Sequence, residues 1–341
     1  MSTPDQTATQ SAQDAEPPEG AAATTVTGRS PARRVLDELR QYGVVAVLVV
    51  LVVVMASASP EFLSLNNLAN ILDQWAPIGI TAVAGTLVII SGGFDLSSSA
   101  IYAFAGVAAA LVTNATGSVV VGFAAGIGLG LALGIVNGVV TTAGRVNPFM
   151  TTLASSLMIR GVATAVSAGA LISVTVPGFT EVGLGTAFGL GWSVWIFFGV
   201  VAAGTLLSRF TVFGRHVYAV GGNIEAARLS GVRVDMVRAT AFALSGLACG
   251  IAGVIVASRG ASGQAGLGIG IELTVIAAIV IGGTSILGGE GAVWRTVVGV
   301  LLLAVIANGF NLMSVEPVYQ NIFQGLVILI AVGVDGWSHR K

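Results

Sequence analysis

Charge is what this sequence has least of. Only 9% of its 341 residues are Asp, Glu, Lys or Arg, against 55% hydrophobic, and the mean hydropathy is +0.91. A soluble domain carries roughly a quarter charged residues to hydrate its surface. A chain this poor in charge cannot cover a water-exposed globule, so the bilayer must be the solvent for most of its surface. Lysine is all but missing, Lys341 being the only one. A P-loop needs a lysine after its glycines to hold nucleotide phosphates. The chain therefore carries no conventional P-loop motor, and any ATP hydrolysis belongs to another chain. Cysteine is limited to Cys249, inside an apolar run, which excludes a disulfide framework or zinc cluster and leaves a small buried hydrophobe. A formal net charge of -1 gives no reason to expect nucleic acid.

Glycine, by contrast, is plentiful at 47 residues. It weakens helices in water but suits membrane helices, where small residues let backbones approach closely. Residues 1–34 are rich in Ser, Thr, Ala, Gln, Pro and acids with no apolar period, and read as a disordered cytoplasmic tail. Arg29, Arg33, Arg34 and Arg40 precede the first apolar run, Gly43 to Ala58. Its closing Ala56-Ser57-Ala58 resembles a signal-peptidase site, but the polar stretch before it is too long for an ordinary leader, so an uncleaved first helix is expected. Further apolar segments fall near 72–91, 98–113, 118–141, 149–168, 191–209, 237–258, 273–289, 296–312 and 320–336. Each is close to the roughly 20 residues that cross about 30 Å of hydrocarbon. The expectation is an all-α polytopic membrane protein of about ten transmembrane helices, a transmembrane domain over residues 35–341.

The distribution of arginine orients these spans. With the N-terminus cytoplasmic and ten helices alternating, Arg145, the stretch 210–236 with Arg215, His216, Arg228 and Arg233, and the tail His339-Arg340-Lys341 all fall inside. The outside segments 59–70, 169–190 and 313–319 carry only Glu61, Glu181 and Glu316. Arg259 is the exception on the outer face. Both termini are thus expected in the cytoplasm of a cell (plasma or inner) membrane protein.

The stretch 210–236 is the most informative. Asn223 is a good N-cap, Glu225 lies in the first turn where the helix dipole favours an anion, and Arg228 follows toward the end. Gly231 suits the residue that ends the helix. A helix this short is marginal alone and would be held by docking, with Ala226 and Ala227 offering a smooth face to another protein. Glu225-Ala226-Ala227-x-x-x-Gly231 resembles the Glu-Ala-Ala motif of permeases in ATP-binding-cassette importers. The surrounding Phe213-Gly-Arg-His-Val-Tyr-Ala-Val-Gly-Gly-Asn-Ile-Glu-Ala-Ala-Arg-Leu-Ser-Gly231 closely resembles the permeases of the ribose, xylose and arabinose importer family. Ser91-Gly-Gly-Phe-Asp-Leu-Ser97, Asn147-Pro-Phe-Met-Thr-Thr-Leu153 leading to Arg160-Gly161, Ile281-Gly-Gly-Thr-Ser-Ile-Leu-Gly-Gly-Glu-Gly291 and Asn308-Gly-Phe-Asn-Leu312 extend that similarity in the same order. Phe94 stands where the family has isoleucine, and Ser98-Ser99 where it has valine-glycine, which leaves the solute open.

The resemblance implies a permease subunit that imports a monosaccharide or similar small polar solute by alternating access. It implies a second permease copy or paralogue, a cytoplasmic ATPase that holds the ATP, and an extracytoplasmic solute-binding protein. Gly222, Asn223, Glu225, Ala226, Ala227, Arg228 and Gly231 would couple to that ATPase. The chain itself is then no enzyme, with no catalytic, cofactor or metal residue. Same-fold alternatives are permeases for branched-chain amino acids or nucleosides. An ion-coupled secondary transporter would need intramembrane carboxylates such as Asp95 or Asp73, but leaves the 211–235 loop without a reason.

Polar groups inside apolar stretches are the candidates for a translocation path or gate. Gly92 and Gly93 followed by Asp95 and Ser97 suit an irregular segment facing a water-filled path, although Asp95 is equally suited to capping the next helix. Asn308 and Asn311 lie one turn apart on one helix, placed either to bind solute or to bond a neighbouring helix. Arg160 is either snorkelling or buried; if buried it is expected to pair with a carboxylate, Asp95, Asp73 and Glu272 being the candidates by type, ahead of contacting solute.

Overall fold

The computed structural model describes residues 31–316 together with 318–320, 322, 323, 325, 326, 329 and 333. The chain divides into a short unit, residues 1–39, and the body, residues 40–341. Helix α1 (Pro31–Ala58) is followed by α2 (Leu65–Ile90), α3 (Ser98–Thr116), α4 (Val119–Ala143) and α5 (Pro148–Val166). Strand β1 (Ile172–Ser173), the one-turn helix α6 (Glu181–Leu184), and strands β2 (Thr186–Ala187) and β3 (Leu190–Gly191) lead into α7 (Trp192–Phe210). Next come α8 (Val212–Gly222), α9 (Ile224–Leu229), α10 (Val234–Arg259), β4 (Ser262–Gly263), α11 (Ile271–Ile281) and α12 (Val293–Leu312). The strands form only two-residue antiparallel ladders, β1 with β4 and β2 with β3. The fold is all-α.

Among the described residues, seven helices (α2, α3, α4, α5, α7, α10 and α12) are long and apolar enough to cross a membrane. The first expected span, 43–58, is the shorter apolar part of α1. The span expected over 273–289 is different: its helix stops at Ile281, and residues 282–292 turn back before α12 begins. Gly283, Gly288 and Gly289 adopt φ of 82°, 88° and 77° there, a left-handed backbone that cannot continue a helix. Apolar content alone had merged a half-length helix with the loop behind it. Most of the last expected span, 320–336, and most of the 1–34 tail lie outside the described residues.

Helix α2 runs through the middle, with 78% of its apolar window buried, whereas α4 buries 22% and shows the rest outward. Side chains that touch lipid gain nothing from leaving it, so packing between helices relies on close fit. The α4–α10 contact illustrates this. Gly122, Gly126, Gly130, Gly134 and Gly138 recur every fourth residue and form the buried stripe of α4. A Cβ on Gly130 would lie 2.5 Å from the Gly246 carbonyl oxygen, and one on Gly134 2.5 Å from that of Phe242. The two backbones touch where Gly130 and Gly134 of α4 meet Gly246 and Gly250 of α10, with no Cβ on either side. Cys249, fully buried beside Ala100, Ile101 and Ile159, is the small apolar filler its surroundings predicted. Elsewhere Thr86 of α2 and Thr296 of α12 share a buried hydroxyl–hydroxyl bond of 2.7 Å.

Candidate functional site

The polar stretch 210–236 folds into α8, α9 and the first turn of α10. Asn223 caps α9, its Oδ1 accepting the Ala226 N–H at 2.9 Å. At the other end Gly231, at φ 81°, gives its N–H to Arg228 O, while Val232 N–H reaches back to Ala227 O, both at 3.0 Å. This paired closure is the Schellman motif, and it stops the helix after six residues. Glu225 and Arg228 form an exposed ion pair at 3.3 Å, which at such exposure adds little to stability.

The expected two-alanine face is divided. Ala226 is exposed, but Ala227 is buried in a cluster with Ile90, Val217, Val220, Val234 and Val237. That cluster is what docks so short a helix onto the end of α2. The outward face then consists of Glu225, Ala226, Arg228 and an 88% exposed Leu229. Sequence reasoning missed Leu229, although an apolar residue one turn after Glu225 on a helix anchored elsewhere was the available signal. It also missed that 212–222 is itself a helix, started by Thr211, whose Oγ1 accepts the Gly214 N–H at 3.1 Å. On α8, Tyr218 donates its hydroxyl to the Gly291 carbonyl at 2.9 Å. Burial pushes the Tyr218 hydroxyl above its ordinary pKa against the opposing charge of Arg295.

Helix α2 ends in the same way as α9. Gly92, at φ 76°, donates to Ile89 O at 2.9 Å, and Gly93 donates to Val88 O at 2.9 Å. The turn that follows carries Asp95. Its Oδ1 accepts the Ser97 N–H at 3.0 Å and the Ser97 hydroxyl at 2.5 Å, and its Oδ2 accepts the Ser245 hydroxyl of α10 at 2.6 Å. Asn137 of α4 donates to the Ser97 hydroxyl oxygen at 2.7 Å. Thr152 of α5 accepts the Leu96 N–H at 3.1 Å. The turn thus ties the start of α3 to α4, α5 and α10, the Asp95 carboxyl itself bonding Ser97 and Ser245. Asp95 does not cap α3 from the N-cap position, which Ser97 occupies without a side-chain capping bond to the helix; it folds the turn just before it. Asp95 also borders a narrow cleft with Thr81, Ser98 and Ser245 as polar walls and Val275 and Ile279 opposite. The space it encloses is about that of one water, too small for a sugar as it stands.

Asn308 and Asn311 lie elsewhere. Asn308 and Asn67 of α2 exchange side-chain amide bonds of 2.8 and 3.0 Å, and Asn311 Oδ1 accepts from Gln320 at 3.0 Å. Asn308 bonds a neighbouring helix, at the opposite end of α2 from Gly92 and Asp95. Arg160 finds no carboxylate among the described residues. Its guanidinium donates to the Ala265 carbonyl at 2.8 Å and to the Ser99 hydroxyl at 3.1 Å, so the expected ion pair is replaced by contacts that fasten the Gly-rich segment after β4. Carbonyl oxygens of that segment have no helix partners of their own, and a fixed guanidinium fork suits them.

Asp73 is taken by Arg259 instead, Oδ2 to Nη2 at 3.0 Å, with Ser193 donating to the other carboxyl oxygen. Arg259 Nη2 also donates to the Asp73 carbonyl at 2.9 Å. The arginine that broke the charge rule is therefore neutralised in place, linking α2 and α10, with Ser193 of α7 joined through the carboxyl. Glu272 lies in the first turn of α11, where the dipole favours it.

Comparison with known proteins adds a lineage to this geometry. Residues 67–332 match the family model described as "Branched-chain amino acid transport system / permease component". The ribose import permease protein RbsC of Escherichia coli K12 is 40% identical over 84% of this chain and 91% of its own length. The L-arabinose transport system permease protein AraH of the same strain is 40% identical over 88% and 92%. RbsC of Bacillus subtilis 168 is 39% identical over 84% and 90%. No solved structure matches the chain.

Proposed function

From the premise that this chain belongs to the branched-chain amino acid and ribose-type permease family of ATP-binding-cassette importers, we propose that it carries a monosaccharide into the cell by alternating access. The family is one of transport permeases rather than catalysts, and its systems import small polar solutes such as sugars. The observation that carries the finer reading is the presentation of α9. A six-residue helix capped at both ends is anchored through Ala227 and offers Glu225, Ala226, Arg228 and Leu229 outward. A helix with no core of its own and one open face suits a groove on a partner. We assign that partner as the ATPase, with Gly222, Asn223 and Gly231 shaping the segment it grips.

In this reading, ATP closes the ATPases, α8 and α9 move with them, and the permease switches between outward- and inward-open forms. The permease contributes a difference in stability between those forms, which is all an external motor can bias. The solute passes the Asp95 cleft, where Gly92, Gly93, Asp95 and Ser97 form a gate. Ribose and L-arabinose, the solutes in two relatives' names, are both monosaccharides, which supports that class. A second permease copy and an extracytoplasmic binding protein complete the importer. The N-terminus and the α9 face lie in the cytoplasm, and the long apolar helices cross the plasma or inner membrane.

Affinity purification of the chain from native membranes is expected to retain an ATPase subunit, and Glu225→Ala with Leu229→Ser to release it. Uptake that persists in cells lacking every such ATPase refutes the importer reading. Uptake that collapses with the membrane ion gradient while ATP is held constant favours the ion-coupled alternative instead.

A further inference from the structure

The carbonyl of Ile90, the last residue of α2, has no acceptor role left within its own helix. Gly289, in the loop behind α11, donates its N–H to it at 2.8 Å. Gly221 of α8 lies against the same carbonyl so closely that a Cβ there would stand well inside contact distance of the oxygen. A Cβ on Gly289 would stand 2.8 Å from the Gly222 Cα, and one on Gly288 3.1 Å from the Gly92 Cα. Three backbones from separate parts of the sequence meet here with no side chain between them.

That absence has a mechanical consequence. A displacement that reaches packed side chains is partly absorbed by rotamer changes. Backbone against backbone has no such slack, and close-packed interiors transmit strain. Tyr218 fastens α8 to the same loop through Gly291, one turn before Gly221. Beyond the junction, Gly92 begins the turn that carries Asp95 as its fourth residue.

We propose that Gly221 and Gly289 are positioning residues for transport: their side-chain-free contact on the Ile90 carbonyl carries movement of α8 and α9 into the Asp95 turn. The loop 282–292 is then a wedge between the coupling segment and the gate. This rests on the importer reading above, since it needs α9 to be driven from outside.

The test uses the full permease co-purified with its ATPase in liposomes, in a Cys249→Ala background with Ser98→Cys as reporter in the cleft. The maleimide labelling rate at that cysteine is measured with and without ATP, alongside ATP hydrolysis. The parent is expected to change its labelling rate on ATP addition. Gly221→Ala, and separately Tyr218→Phe, are expected to keep hydrolysis and ATPase retention while the ATP-dependent change shrinks about threefold or more, the range of coupling changes seen along transmission elements. An unaltered ATP response in both variants overturns the proposal. Should Gly221→Ala fail to accumulate, Tyr218→Phe, which removes one oxygen and adds nothing, decides alone. A parent that binds no ATPase or ignores ATP overturns the importer reading itself, and the junction's role with it.

Discussion

Removing the Ser245 hydroxyl tests the Asp95 turn most directly. The Asp95 carboxyl receives three donors, two from Ser97 and one from Ser245. Ser245→Ala deletes the donor to Oδ2 and leaves that oxygen without a hydrogen-bond partner among the described residues. Ser245 is 1% exposed and Asp95 9%, so water is poorly placed to substitute. Interhelical hydrogen bonds in membranes average about 0.6 kcal/mol, whereas stranding a buried polar group costs about 1–3 kcal/mol. The burial here favours the second figure, and a loss of about 2 kcal/mol is expected. Asp95→Asn gives the contrast. Its oxygen still accepts from Ser97, and its amide donates to a Ser245 hydroxyl turned to accept, so about 1 kcal/mol or less is expected. Reversible unfolding of the purified permease in mixed micelles, titrated with denaturing detergent, measures both. The reasoning is refuted if Ser245→Ala costs no more than Asp95→Asn, because the carboxyl then has no need of that donor.

Other perturbations separate packing from coupling. Gly134→Leu pushes a side chain into the Phe242 carbonyl and is expected to prevent stable accumulation; Gly128→Leu, on the same helix with nothing within 4 Å, is expected to accumulate normally in membrane fractions. Arg259→Ala strips Asp73 of its ion pair and its carbonyl of a donor. With a quarter of the arginine exposed, a cost of about 1–2 kcal/mol is expected rather than the 3–5 of a fully buried pair, read as a lower melting temperature by differential scanning fluorimetry. Asn223→Ala is expected to cost α9 about 1 kcal/mol of cap stability and to weaken ATPase retention in pull-downs without altering membrane insertion.

The relation of sequence to structure is clearest where the two diverge. The α4 glycines at every fourth position already implied close helix contact, because only one residue type leaves a backbone bare. The caps of α9 were equally legible, since Asn223 and Gly231 act through their immediate neighbours. By contrast, the repeated glycine pairs Gly92-Gly93 and Gly282-Gly283 were too brief to interpret in sequence, yet α2 and α11 close with the same pair of hydrogen bonds at Gly92 and Gly283. Partners distant in the chain were beyond reach. Nothing local told Arg160 to choose the carbonyls of 265 and 267, or Arg259 to choose Asp73.

The sequence by itself determined the solvent, the helical class and the family, because hydropathy, spacing and a collinear set of motifs are all written along the chain. Only the tertiary structure decided that α11 stops halfway, that Ala227 faces inward while Leu229 faces out, and that the turn carrying Asp95 is bonded to α4, α5 and α10. It alone brought Gly221, Gly289 and Ile90 to one point. The reason is physical: composition fixes what each segment prefers, but a hydrogen bond or a bare backbone contact depends on two segments arriving together, and residues some 200 positions apart share no local signal of it.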